Sequence, residues 1–362
     1  MSQAPPSPFG PDYAGLTLDG RYRLGGLIGR GGSASVHAGV DLRLRREVAV
    51  KVIHPEHARS EEQRRRIRSE AIVGASLDHP YVVPILDFGA LPLPGGEHRA
   101  YLVMPLLRGV TLRGLILEGR IAWPRALRLA RQLLSGLRAL HDRGVIHRDL
   151  KSCNCFVVRE EGREILRILD FGLAKVTREG LLSRLPSASA SGVILGTPAY
   201  LAPEQVRGQA IDERADLYAV GVILFEALTR RLPFVGADFD VMSAHVGRPP
   251  PTLRSIVGDG VLPEKIEEVV ARALAKDPAE RFGSAAAFDE ALARVLAEAG
   301  EGAESIEIER TASACPPAHA GCCEAQASLA AWTCFEYTRA VEAWALPADR
   351  LRPTGCTPRV RG

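Results

Sequence analysis

The sequence predicts an α+β protein in which a small sheet-rich lobe precedes a larger helical one. Three observations carry this. Up to Leu107 the apolar residues fall mostly in short, β-branched runs with one helical stretch among them. Beyond Leu107 they recur at helical spacing. Hydrophobic residues make up 46% of the 362 and charged residues 25%, an ordinary globular balance with enough apolar material for a sizeable core.

Taken in order, residues 1–21 carry Pro5, Pro6, Pro8 and Pro11 without periodicity and read as a flexible leader. Strand-like runs begin at Tyr22, and a glycine cluster follows Leu27-Ile28. Val48-Ala49-Val50-Lys51-Val52-Ile53 reads as a buried strand, and Tyr101-Leu102-Val103-Met104 as another. Between them residues 60–77 read as a helix, with Ile67, Glu70, Ala71 and Gly74 on one face. Residues 124–141 form a strong helix, opened by Pro124 and stopped by Gly144. Further helices are predicted over 216–229, 266–275 and 285–296. The division is therefore a leader over 1–21, a first lobe over 22–107, a second over 108–297, and a linker with a Cys-rich tail of unassigned role over 298–362.

Lys+Arg 46 against Asp+Glu 43 leaves a net charge of +3, which gives no reason to expect a nucleic-acid partner. No apolar run approaches the ~20 residues that span a bilayer, and no basic-then-apolar signal opens the chain. The expectation is a cytoplasmic protein without a transmembrane segment. The 7 cysteines are an odd number, five of them in the tail, and read as reduced thiols rather than a disulfide framework. Cys315, His319, Cys322 and Cys323 match no standard zinc spacing.

The chemistry lies in the middle of the chain. Gly29-Arg30-Gly31-Gly32-Ser33-Ala34-Ser35-Val36 sits between two strand-like runs, not before a helix. That excludes a dinucleotide-binding turn and suits a glycine hairpin whose N–H groups approach phosphates. Lys51, in an apolar strand, needs a partner. Glu70, on the apolar face of the next helix, needs one too, and together they make a pair that aims an ammonium at a phosphate. His147-Arg148-Asp149-Leu150-Lys151-Ser152-Cys153-Asn154 is followed by Asp170-Phe171-Gly172 and then Ala202-Pro203-Glu204. Asn154 and Asp170 offer hard oxygen ligands for Mg²⁺. Asp149 can orient an incoming hydroxyl and accept its proton, and Lys151 can neutralise a transferring phosphoryl group.

On these blocks residues 22–296 resemble the eukaryotic-like Ser/Thr protein kinase family, most closely its bacterial branch through Tyr200-Leu201-Ala202-Pro203-Glu204-Gln205. The resemblance implies a bilobal kinase fold, an antiparallel-sheet N-lobe on a helical C-lobe. It implies ATP and Mg²⁺ (or Mn²⁺) as cofactors and proteins with Ser/Thr as substrates. It places ATP against Ile28, Gly29, Gly31, Gly32, Val36, Ala49, Lys51, Met104, Pro105 and Leu107. It makes Gly196-Thr197-Pro198-Ala199-Tyr200 the peptide-docking block, Asp216 the brace of the catalytic loop, and Arg281 the buried partner of Glu204. Lys151 two residues after Asp149, and the hydroxyl of Thr197, favour Ser/Thr over Tyr as acceptor.

This chain has Ala34 for the third family glycine, and Ser152-Cys153 where many relatives have proline and a polar residue. Neither Ser152 nor Cys153 is a metal ligand or a base. Arg148 is the family's reader of an activation-segment phosphate, which points to autophosphorylation at Ser189 or Ser191, through a transient dimer. Two other readings carry less of the sequence. A nucleotide-binding scaffold would not need Lys51, Glu70, Asp149, Lys151, Asn154 and Asp170 together, and a small-molecule kinase would lack the peptide-docking block.

Overall fold

The computed structural model describes residues 13–31, 34–55, 71, 74–92, 98–169 and 198–299. The first lobe is a six-stranded antiparallel sheet. Its strands are β1 (Thr17–Leu18), β2 (Tyr22–Arg30), β3 (Ala34–Asp41), β4 (Arg46–Ile53), β5 (Asp87–Pro92) and β6 (His98–Pro105), in the spatial order β1-β2-β3-β4-β6-β5. In β4 the last six residues are all buried, as befits a strand flanked on both edges and covered on both faces. Side chains alternate between faces along a strand. Val48, Val50 and Val52 join Tyr22, Leu24, Tyr101 and Val103 on one face, while Ala49 meets Ile28 and Ala38 on the other. Lys51 shares the face of Ala49.

The flexible leader expected over 1–21 is corrected from residue 13 onward. Tyr13 and Leu18 are buried in the valine face of the sheet, β1 pairs with β2, and the Gly15 N–H donates to Leu24 O at 2.9 Å. The ring of Tyr13 meets His37 edge-on at 5.5 Å, Arg99 donates to the Tyr13 hydroxyl, and the Tyr101 hydroxyl donates to Asp19. The prolines stop at Pro11, and the apolar anchors that follow cover a sheet face that would otherwise be wet. Each large apolar side chain buried this way contributes about 1.5–3 kcal/mol. Arg21 then ties β2 to the sheet through Asp41 at 2.7 Å, and this bond, against the effect of burial, holds the Asp41 carboxyl down at about 2.

The second lobe opens with β7 (Gly109–Thr111), α1 (Leu112–Glu118) and α2 (Trp123–His141). Thr111 caps α1, its hydroxyl accepting from the Gly114 N–H at 3.0 Å. Strands β8 (Cys155–Glu160) and β9 (Arg163–Ile168) complete a three-stranded sheet, β7-β8-β9, that the sequence reading did not anticipate. The remaining helices are α3 (Pro203–Arg207), α4 (Arg214–Thr229), α5 (Asp238–Gly247), α6 (Leu253–Val257), α7 (Glu264–Ala273) and α8 (Ala285–Glu298). Residues 215–229 of α4 are all buried, so α4 is the central post of the core. A Cβ on Gly221 would stand 2.8 Å from the Cβ of Ala273, so glycine there is what lets α7 pack against α4. Of the helix expected over 60–77, Ala71 and residues 74–75 are helical, and positions 56–70 and 72–73 lie outside the described residues.

Candidate active site

The residues expected to face adenine are placed by the sheet. Gly29 pairs with Val36 and Arg30 with Ser35, and the hairpin closes with Gly31 N–H donating to Ala34 O at 2.9 Å. Ala49 stands opposite Ala38 on β3 and Met104 on β6. Ile28, Ala38 and Ala49 are buried together, with Val36, Met104 and Leu106 packed on them. This apolar cluster lies where the first lobe passes into the second. Pro105 pairs with Val48 at the end of β6, and half-buried Leu107 follows. Lys51 lies between Val36 and Leu102 in the register and is 6% exposed. Its expected partner Glu70 lies outside the described residues, as do Gly32, Asp170, Ser189, Ser191 and Thr197.

The catalytic loop is held from beneath by α4. Asp216 accepts the N–H of His147 at 2.8 Å on Oδ2 and the N–H of Arg148 at 2.8 Å on Oδ1. Its Oδ2 also meets His141 Nε2, from the end of α2, at 2.8 Å. Burial pushes the Asp216 carboxyl up, but the bond and charge of His141, with the His147 contacts, outweigh it and hold the group below the usual carboxylate range. His147 is fully buried and its Nε2 meets Leu169 O at 3.0 Å. Arg148 has a φ of 62°, in the left-handed region where a side chain is strained. Its carbonyl accepts from Gln205 Nε2 at 2.9 Å, so the loop is gripped from both sides at its strained residue.

That grip sets Asp149. Lys151 Nζ lies 3.3 Å from Asp149 Oδ2. Asn154 Nδ2 donates to Asp149 O at 2.8 Å, which uses the donor end of the amide and leaves its Oδ1 for a cation. Leu169, next to Asp170 in sequence, donates its N–H to Asn154 O at 2.8 Å. Of the sequence-predicted residues, the structure thus brings together Asp149, Lys151 and Asn154 over Asp216. Among the described residues no group of three or more His, Cys, Asp or Glu side chains is placed to hold a metal.

Farther from the loop, Arg281 Nη1 and Nη2 grip Glu204 at 2.7 and 2.8 Å. The guanidinium also donates to the carbonyls of Ala275, Lys276 and Arg214. Sequence reasoning missed His141, Gln205, Arg113, Glu226 and His245. For Glu226 a signal existed, since a lone acid within the apolar run Gly221-Val222-Ile223-Leu224-Phe225 needs a buried partner.

Residues 22–293 match the family described as "Protein kinase domain". Serine/threonine-protein kinase pkn2 of Myxococcus xanthus is 39% identical over 286 residues, which cover 77% of this chain and 33% of that protein. Serine/threonine-protein kinase PknB of Mycolicibacterium smegmatis is 37% identical over 306 residues, 83% of this chain and 47% of that protein. The chain therefore spans about a third to a half of the length of these curated relatives. The crystal structure of the Mycobacterium tuberculosis PknI kinase domain superposes with a TM-score of 0.60 at 26% identity, covering 79% of this chain and 98% of that one. The family match starts at residue 22, and the buried segment from Tyr13 lies just before it. The chain belongs to the protein kinase family, and its likeness is to the bacterial Ser/Thr kinases of that family.

Proposed function

We propose that the chain is a Ser/Thr protein kinase that moves the γ-phosphoryl group of ATP to Ser and Thr hydroxyls of proteins, itself included. The observation that carries this reading is the convergence on Asp149. An ammonium stands 3.3 Å from its carboxylate, and an amide with a spare oxygen is bonded to its carbonyl. An acceptor hydroxyl hydrogen-bonded to Asp149 would lose its proton to that carboxylate as the new bond forms, with Lys151 countering charge on the phosphoryl oxygens.

The residues present fit both cofactors. The apolar side chains of Ile28, Val36, Ala49 and Met104 suit a purine, the Pro105 carbonyl and Leu107 N–H suit its edge, and Gly29, Gly31, Gly32 and Lys51 suit its phosphates, where Glu70 would aim Lys51. Asn154 and Asp170 would hold Mg²⁺ or Mn²⁺, both being hard oxygen donors. When bound, the nucleotide supplies the phosphoryl group and the cation offsets its charge.

A phosphate on Ser189 or Ser191 would be read by Arg148, and a transient dimer would deliver it, with Thr197 bridging Asp149 and Lys151. The setting proposed is the cytoplasm, and no nucleic acid takes part. No helix among the described residues is long and apolar enough to cross a membrane. Incubating the purified chain with Mg²⁺ and γ-labelled ATP, then hydrolysing the labelled protein to its phosphoamino acids, tests the reading. Label on phosphoserine and phosphothreonine is expected, and label confined to tyrosine, or none, contradicts it.

A further inference from the structure

A buried chain of hydrogen bonds joins the catalytic loop to the peptide-docking block, and the chemistry above does not use it. Ser152 Oγ lies 2.9 Å from the Tyr200 hydroxyl. That hydroxyl donates to Glu226 Oε2 at 2.6 Å, and Glu226 Oε1 is held by the Arg113 guanidinium. Ser152 and Glu226 are 0% exposed and Tyr200 7%.

The directions of these bonds follow from chemistry. Glu226, ion-paired with Arg113, only accepts, so the one hydrogen of Tyr200 goes to it. Ser152 must then donate its own hydrogen to the Tyr200 oxygen. Burial first, and the neighbouring Glu226 second, raise the Tyr200 hydroxyl well above its ordinary value, so it stays a donor.

Ser152 opens the short 3-10 turn Ser152–Asn154 that also places Asn154. The turn itself does not need a hydroxyl there. Lys151 before it is extended, with φ −159° and ψ 162°, the conformation that a following proline favours. Proline, which many relatives have at this place, offers neither donor nor acceptor. The bond to Tyr200 is therefore one that a relative with proline at this place cannot make.

We propose that Ser152 is a positioning residue whose hydroxyl locks the peptide-docking block, at Tyr200, to the catalytic loop and so fixes where a peptide's hydroxyl stands relative to Asp149. The proposal rests on the kinase reading. Three elements meet at this lock: α1 through Arg113, α4 through Glu226, and the loop through Ser152. With the bond broken, Tyr200 keeps Glu226 but the docking block loses this tie to Asp149's loop.

The test uses the full chain with dephosphorylated casein as acceptor. Ser152→Ala is expected to raise the KM for casein about five- to tenfold, the weight of one hydrogen bond, with the KM for ATP unchanged. The amides of Ala199, Tyr200, Leu201 and Ala202 are expected to exchange with deuterium about tenfold faster. Ser152→Pro, which keeps the turn and deletes the hydroxyl, should match it. In a Tyr200→Phe background Ser152→Ala should add nothing further. Wild-type exchange at residues 199–202 in either Ser152 variant overturns the proposal, as does an undiminished effect in the Tyr200→Phe background. A wild-type chain that labels no casein counts against the kinase reading instead, and the exchange measurement still decides on Ser152.

Discussion

Asp216 Oδ1 accepts the backbone N–H of Arg148 at 2.8 Å, and Arg148 is the residue of the catalytic loop held at a φ of 62°. A left-handed backbone at a non-glycine residue is costly by roughly 1–3 kcal/mol and persists only where its surroundings enforce it. Here the buried Asp216 carboxylate on one side and the Gln205 amide on the other enforce it, and the position of Asp149 follows, since Asp149 is the next residue along.

Besides the N–H groups of His147 and Arg148, that carboxylate meets His141 Nε2, and His141 Nδ1 is buried with no hydrogen-bond partner among the described residues. The imidazole is thus spent on a single bond that orients Asp216. His141→Leu should lower kcat about tenfold or more, the weight of a hydrogen bond to a charged group, while the Kd for ATP holds. His141→Gln, whose amide nitrogen reaches as far as Nε2, should recover most of the loss. Steady-state kinetics beside nucleotide-binding calorimetry checks this, and equal damage from Leu and Gln would refute it.

The Arg281–Glu204 pair has a guanidinium that is 0% exposed and a carboxylate that is 5% exposed. Removing the cation leaves a buried charge without its partner. Arg281→Ala should destabilise the fold by about 3–5 kcal/mol in urea unfolding. Arg281→Lys should recover only part, because an ammonium cannot reproduce the two-pronged grip. A loss under about 1 kcal/mol for Arg281→Ala would show that the pair does not anchor α3.

His245, on α5, accepts from the Tyr218 hydroxyl at 2.8 Å through Nδ1 and donates to Ala199 O at 3.0 Å through Nε2. Burial first, then the charge of Lys276, lowers it from 6.5 to about 4. The unfolded chain therefore binds a proton that the native state refuses between these values, so stability falls as pH drops from 6.5 to about 4 and is complete above 6.5. The full difference is about 3 kcal/mol. Urea midpoints measured across this window should rise with pH in the wild type and rise less steeply in His245→Gln. Parallel curves would remove His245 from the account.

Lys51 and Glu70 are predicted to act through each other. Lys51→Met and Glu70→Ala should each cut phosphoryl transfer sharply, and the double variant should be little worse than either one. Additive losses in the cycle would mean that the two side chains are not paired.

Much of this site could be read along the chain because its parts lie in short contiguous blocks. Asp149, Lys151 and Asn154 are neighbours in sequence, and β4 advertised itself by an unbroken apolar run. What stayed hidden depends on partners far away. His141 looks like an ordinary helix end until α4 brings Asp216 beneath it. Ser152 looked chemically idle because its meaning lies in Tyr200. The β7-β8-β9 sheet escaped because Gly109–Thr111 is too short for a period to show, and β8 and β9 alternate weakly beside the catalytic loop. Tyr13 and Leu18 were lost in the proline-rich leader because two apolar residues make no pattern until the face of β4 is there to receive them.

The central claim is that Asp149 serves the acceptor hydroxyl and not the nucleotide. The direct measurement is phosphoryl transfer by Asp149→Asn with Mg²⁺ and labelled ATP, beside its affinity for ATP. Transfer is expected to fall by a factor of about a hundred or more, as for a lost general base, with ATP binding within about twofold of wild type. Transfer at the wild-type rate would contradict it.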